Sequence, residues 1–139
     1  MNMMGVVLAT LGAFVAYFVV GGVMFVAMPW MKTEFMKYPA VYRPSEGQMK
    51  NMPVAMVATL VAIVVLAVLY AMIYHGGSGA MEGARFGALI GVFAIGTFTM
   101  HNYVNLNIGW KLAVEQSVAY FIQWVVVGIV IGLIYRPAH

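Results

Sequence analysis

Cysteine is missing from the chain, which excludes disulfides, thiolate metal sites and cysteine nucleophiles and leaves the redox compartment undefined. Charge is nearly as scarce. Asp, Glu, Lys and Arg make up 8% of the 139 residues, against about a quarter in a soluble domain whose surface faces water. No nucleophile elbow, P-loop, dinucleotide fingerprint or HExxH site occurs, so no catalytic motif speaks for an enzyme. A net charge of +3 on so few ionisable groups bears on membrane topology rather than on nucleic acid, and no nucleic-acid partner is expected.

What is present is apolar: 64% hydrophobic residues and a mean hydropathy of +0.94. Most of such a surface faces lipid, and the 13 methionines supply soft packing. No charged residue occurs in residues 1–31, 51–81, 86–110 or 116–135. Each window is long enough for the roughly 20 residues that a helix needs to cross about 30 Å of hydrocarbon. The expected fold is an all-α membrane protein, one domain over residues 1–139, with transmembrane helices at 4–28, 53–74, 86–104 and 113–135. Transmembrane strands would alternate in polarity, which residues 57–70 do not. The first span reads as retained rather than as a signal peptide, because no Lys or Arg precedes Lys32 and the apolar run exceeds a usual signal core.

Punctuation fits these spans. Pro29 ends the first, Pro53 takes an N1 position, and Gly76-Gly77-Ser78-Gly79 breaks the chain after the second. Trp30, Tyr38, Tyr42, Tyr74, Trp110 and Tyr135 fall near span ends, at headgroup level. Residues 30–38 mix apolar and basic side chains, the pattern of a short interfacial helix on an anionic leaflet or of an ordinary solvated loop. The first and third loops share one side and carry Lys32, Lys37, Arg43, Lys50 and Lys111, against Arg85 and Arg136 on the other. The positive-inside rule then puts both loops in the cytoplasm and both termini outside.

Helices in lipid associate through close approach at small residues, so small-residue stripes mark contact faces. Gly5, Ala9, Gly12 and Ala16, with Gly22 assigned to the same face, oppose Phe14, Phe18 and Phe25 on the first helix. On the third, Gly83, Gly87, Gly91, Ala94, Thr97, His101 and Asn105 share about 120° of arc, interrupted by Ile90 and Phe98. The fourth presents two faces, Gln116, Tyr120 and Gln123 on one and Gly128 and Gly132 roughly 120–160° away. Two faces suggest two neighbours, one of them in another subunit.

The densest polar cluster is Thr97, Thr99, His101, Asn102, Tyr103, Asn105 and Asn107, facing Lys111, Glu115 and Gln116 across a short connection. His101 with Glu115 has the composition of a proton relay. Hydrogen-bonding glue is the plainer account, with Glu115 an anion in the first turn of its helix. His75 and His101 are the candidates to hold a haem or chlorophyll, with His139 a further interfacial histidine. They sit at opposite sides of the membrane, no cofactor is required by the sequence, and no metal site is expected from histidines spaced this far apart.

Gly21-Gly22 before Phe25, Pro29-Trp30-Met31-Lys32, Met52-Pro53-Val54-Ala55, Gly83-Ala84-Arg85-Phe86-Gly87, Asn102-Tyr103 and Trp110-Lys111-Leu112 together resemble small four-helix bacterial membrane proteins grouped as domains of unknown function. The resemblance covers nearly the whole chain. It implies a bacterial, inner-membrane setting and carries no activity or catalytic residues. The expected role is a structural or accessory membrane subunit, packing on itself or into a larger complex, with the lipid bilayer and other membrane subunits as partners. The alternatives are a small-solute or proton-coupled transporter acting as an oligomer, and a haem- or pigment-binding scaffold.

Overall fold

The computed structural model describes residues 1–137, and His139 lies outside them. The elements are α1 (Met3–Ala27), α2 (Pro29–Met36), α3 (Ser45–Ile73), α4 (Gly79–Ala94), a π-helical turn (Ile95–Thr99), α5 (Met100–Asn105) and α6 (Trp110–Ile134), with no strand among the described residues. Since α4, the π turn and α5 run on as a single rod, four helices are long and apolar enough to cross a membrane: Met3–Ala27, Ser45–Ile73, Gly79–Asn105 and Trp110–Ile134. This is the architecture of an integral membrane protein, in which each helix satisfies its own backbone.

Local chemistry sets the ends. The Asn2 side chain caps α1 by accepting from the Gly5 N–H at 3.1 Å. The chain leaves α1 at Met28, and Pro29 opens α2 at a position where its missing N–H is harmless. Gly76 and Gly77 reverse the chain after α3 with φ of +99° and +117°, a backbone region that side chains disfavour.

Three helices begin earlier than expected: at Ser45 rather than 53, at Gly79 rather than 86, and at Trp110 rather than 113. Charge marks where hydrocarbon ends, whereas a helix continues as long as its charged side chains can point outward. Glu46 and Lys50 on α3 and Arg85 on α4 are all exposed. Pro53 is therefore two turns inside α3 rather than at its start, and removes one N–H bond to the preceding turn. At 29 residues α3 is about 43 Å long, well beyond the roughly 30 Å of a bilayer core. Residues 30–38 are largely helical, forming α2, rather than a loop.

The spatial order is α3, α1, α6, α4, with α6 central. α4 and α6 meet backbone to backbone. Cβ atoms added to Gly79 and Gly83 would strike the carbonyls of Gly132 and Gly128, and one on Gly87 would strike that of Trp124. Only glycine permits this approach. α1 takes another face of α6, with Gly12 under Ile134, Tyr17 against Trp124 at 5.2 Å between ring centroids, and the Gln123 amide donating to the Tyr17 carbonyl at 2.9 Å. α3 leans on α1 through Ile63, Ala67 and Tyr70, which join Val6, Ala9, Ala13, Val127 and Ile131 in a dry core on the termini side. Both expected faces of α6 are thus occupied within the chain.

Four expectations need correction. Gly22 is not on the α1 contact face: at 100° per residue it lies about 100° from Gly5, and none of the described residues comes within 4 Å of a Cβ added there. Phe14, expected on the lipid side, packs partly against the core. Tyr135 is not an interfacial ring but a buried one, packed edge-on against Tyr70 and Tyr74, its hydroxyl accepting from the Asn2 N–H at 3.3 Å. The stripe from Gly83 does not reach His101. The π turn inserts one residue into the helical register, rotating all later positions by about 100°, so Thr99 is buried while Thr97, His101 and Asn105 are turned outward.

The glycine seam makes a direct prediction. Gly83→Ala places a methyl group against backbone of α6, and overpacking of this kind costs about 1–3 kcal/mol. Gly22→Ala fills open space and is expected to leave stability unchanged or slightly raised. Thermal unfolding of both variants in mild detergent measures the contrast; equal stability would contradict the seam.

Candidate functional site

On the first-loop side the bundle loosens. A cavity of about 320 Å³ opens between α1, α2, α6 and the rod that carries the π turn. Each wall has a local cause. Gly21 leaves room for the Gln123 amide, which would otherwise meet a Cβ at 2.9 Å. The π turn brings Phe98 to the wall, edge-on to Tyr120 with ring centroids 5.8 Å apart, and Asn102 joins it one turn later. π turns recur at functional sites because they re-aim side chains without ending the helix. Met31 and Phe35 of α2 close the cavity from the loop side, together with Tyr42.

Its polar lining is neutral. Gln116 donates to the Tyr42 hydroxyl at 3.1 Å, and Asn102, Tyr120 and Gln123 supply further amide and phenol groups. Among the described residues no carboxylate, lysine, arginine or histidine lines it. Such a surface suits a neutral, hydrogen-bonding molecule with apolar bulk, and it offers no acid–base pair.

Above it, α2 is pinned by charge. Glu34, its side chain 5% exposed, accepts from Lys37 at 2.7 Å and from Lys111 of α6 at 2.8 Å, both at one carboxylate oxygen. The two ammonium groups, Lys111 foremost, hold the Glu34 carboxyl below its ordinary pKa against the opposing effect of burial. The Tyr38 hydroxyl accepts from the Gly109 N–H at 2.9 Å. The first and third loops are therefore tied together on one side of the bundle.

The polar cluster expected near the end of the third span separates in the structure. Asn102 and Gln116 enter the cavity. Thr97 donates to the Phe93 carbonyl at 2.7 Å on the exposed surface, and His101 and Asn105 are also exposed. Glu115 lies in the second turn of α6 because that helix starts at Trp110. One of its oxygens is 4.0 Å from Lys111 and the other is buried without a hydrogen-bond partner among the described residues. His101 and Glu115 thus do not meet as a relay pair. His75, exposed after α3, stands on the termini side, away from His101, and no group of three His, Asp or Glu side chains able to hold a metal occurs among the described residues. Of the packing glycines, Gly5, Gly83, Gly87, Gly91, Gly128 and Gly132 are buried and Gly12 is half-buried.

Sequence reasoning missed Glu34, Tyr42 and Gly79. Glu34 sits amid basic and apolar residues of a loop-like segment and gives no sign of burial. Tyr42 reads as one more belt aromatic. Gly79 did carry a signal, the four-residue glycine spacing continued backward from Gly83.

The chain belongs to the family described as protein of unknown function (DUF1761), which matches residues 8–132. No curated protein and no solved structure matches it.

Because the folded state lowers the Glu34 pKa, its ion pairs stabilise the fold above the ordinary carboxylate range, and that stability is lost as pH falls through the lowered value. Glu34→Gln should flatten the acid limb of a stability–pH curve and speed amide exchange at Gly109. An acid limb identical in the two proteins would contradict this role.

Proposed function

We propose that the chain is an accessory integral membrane subunit that assembles with copies of itself or with a larger membrane complex. The supporting observation is the position of α3. It rests on α1 along one narrow face, leaving Ala55, Ala58 and Ala62 exposed together about a third of a turn away. Lipid tails fill against any apolar side chain, whereas a row of small residues allows another helix to come close. The polar first two turns of α3, from Ser45 to Asn51, are almost wholly exposed on the side of α2, a rigid handle for a partner at the membrane surface.

The setting that fits is a bacterial inner membrane with the first and third loops in the cytoplasm and both termini outside. The excess of Lys and Arg on the tied loops supports that orientation. A small-solute transporter working as an oligomer is the second reading. It draws support from cavities at both ends of the bundle, and it requires the dry core between them, from Ile63 to Ile131, to part. A haem- or pigment-binding scaffold has the least geometric support, since His75 and His101 stand at opposite ends.

Native mass spectrometry from mild detergent should show a defined stoichiometry above one copy. Replacing Ala58 and Ala62 by Leu should weaken association about tenfold, or roughly 1.4 kcal/mol, with melting of the single chain unchanged. A wild-type chain found only as a monomer without companions would end the proposal.

A further inference from the structure

A second cavity, about 260 Å³, lies at the other end of the bundle, where α3 gives way to α4. The two helices are consecutive, yet they meet chiefly where the Tyr70 ring stands edge-on to Phe86, centroids 5.4 Å apart. The cleft beyond that contact has two chemically distinct ends. Ile73, Phe86 and Leu89 form the apolar one, with Leu89 exposed toward the lipid side. Glu82, Arg85 and His75 form the polar one.

We propose that this cleft binds the headgroup of a zwitterionic phospholipid that carries a primary amine. The charges select the class. Arg85 and Glu82 are paired at 3.1 Å, but the Arg85 side chain is 69% exposed and that of Glu82 41%, so each has capacity left for a ligand. A phosphate accepts from the Arg85 guanidinium, which suits its geometry, and from the His75 ring. The ammonium at the far end of the headgroup donates to Glu82. A headgroup with negative charge alone would meet the Glu82 carboxylate, and a trimethylated amine has no N–H to donate to it.

Tyr70, 2% exposed, closes the inner wall of the cleft with its packed ring. Acyl chains then lie along Ile73, Phe86 and Leu89.

The test is native mass spectrometry of the full chain titrated separately with phosphatidylethanolamine, phosphatidylcholine and phosphatidylglycerol. Phosphatidylethanolamine should be retained about tenfold better than either of the others, the scale of one hydrogen bond to a charged group. Arg85→Gln should lower its retention by a similar factor, and Glu82→Gln should erase the preference over phosphatidylglycerol. Millimolar inorganic phosphate should not displace the lipid. Equal retention of the three lipids, an Arg85→Gln chain that holds phosphatidylethanolamine as the wild type does, or displacement by free phosphate would each overturn the assignment. The outcome is independent of the oligomer test, because neither Ala58 nor Ala62 lines this cleft.

Discussion

The contact on which the rest of the bundle depends is the backbone seam between α4 and α6. Inside a membrane no hydrophobic force draws one apolar helix to another, so a pair forms where dispersion contacts are densest. Gly79, Gly83 and Gly87 on one helix and Gly128 and Gly132 on the other remove every side chain from the line of approach. That fixes α6 at the centre. Its remaining face takes α1, through Gly12 and the Gln123 bond to the Tyr17 carbonyl. α3 is left to pack chiefly on α1 and stays the most exposed of the four spans.

The seam also explains why the two halves of the bundle differ. It holds on the termini side, where Ile63, Ala67, Val127 and Ile131 close a dry core and Asn2 locks the start of α1 to the end of α6 through Tyr135 and the Arg136 carbonyl. It stops at Gly91, where Phe121 replaces glycine as the facing residue. Directly beyond comes the π turn, and the rod parts from α6 far enough to admit a cavity. A continuous α-helix would have carried Thr97 and His101 into the seam's line. The inserted residue sends them outward and puts Phe98 and Asn102 on the cavity wall instead.

How much of this was legible depends on which forces are local. Four spans could be read because the hydrocarbon imposes a length and bars charge over that length. The four-residue spacing of Gly83 with Gly87 and of Gly128 with Gly132 could be read because helical geometry maps spacing onto a face. The π turn could not, since Ile95 to Thr99 carry no proline or charge that would mark a change in the helix there. Pro53 misled for a related reason: proline is most at home at a helix start, and only the polar turns from Ser45 onward reveal that the helix had already begun.

The candidate site was the least legible part, because its residues act through distant partners. Glu34 looks like a solvated charge in the sequence, and its burial depends on Lys111, 77 positions away. Burial by itself would push the Glu34 carboxyl pKa up. Two lysines allow it to stay ionised, and the resulting tie holds α2 across the mouth of the cavity. The same pairing limits the chemistry underneath: with the charges committed to one another at the rim, the lining retains only amides, phenols, methionines and aromatic rings beside small residues. A surface of that composition offers hydrogen-bond donors and acceptors beside aromatic and apolar area, and it owes that neutrality to the ion pairs at its rim.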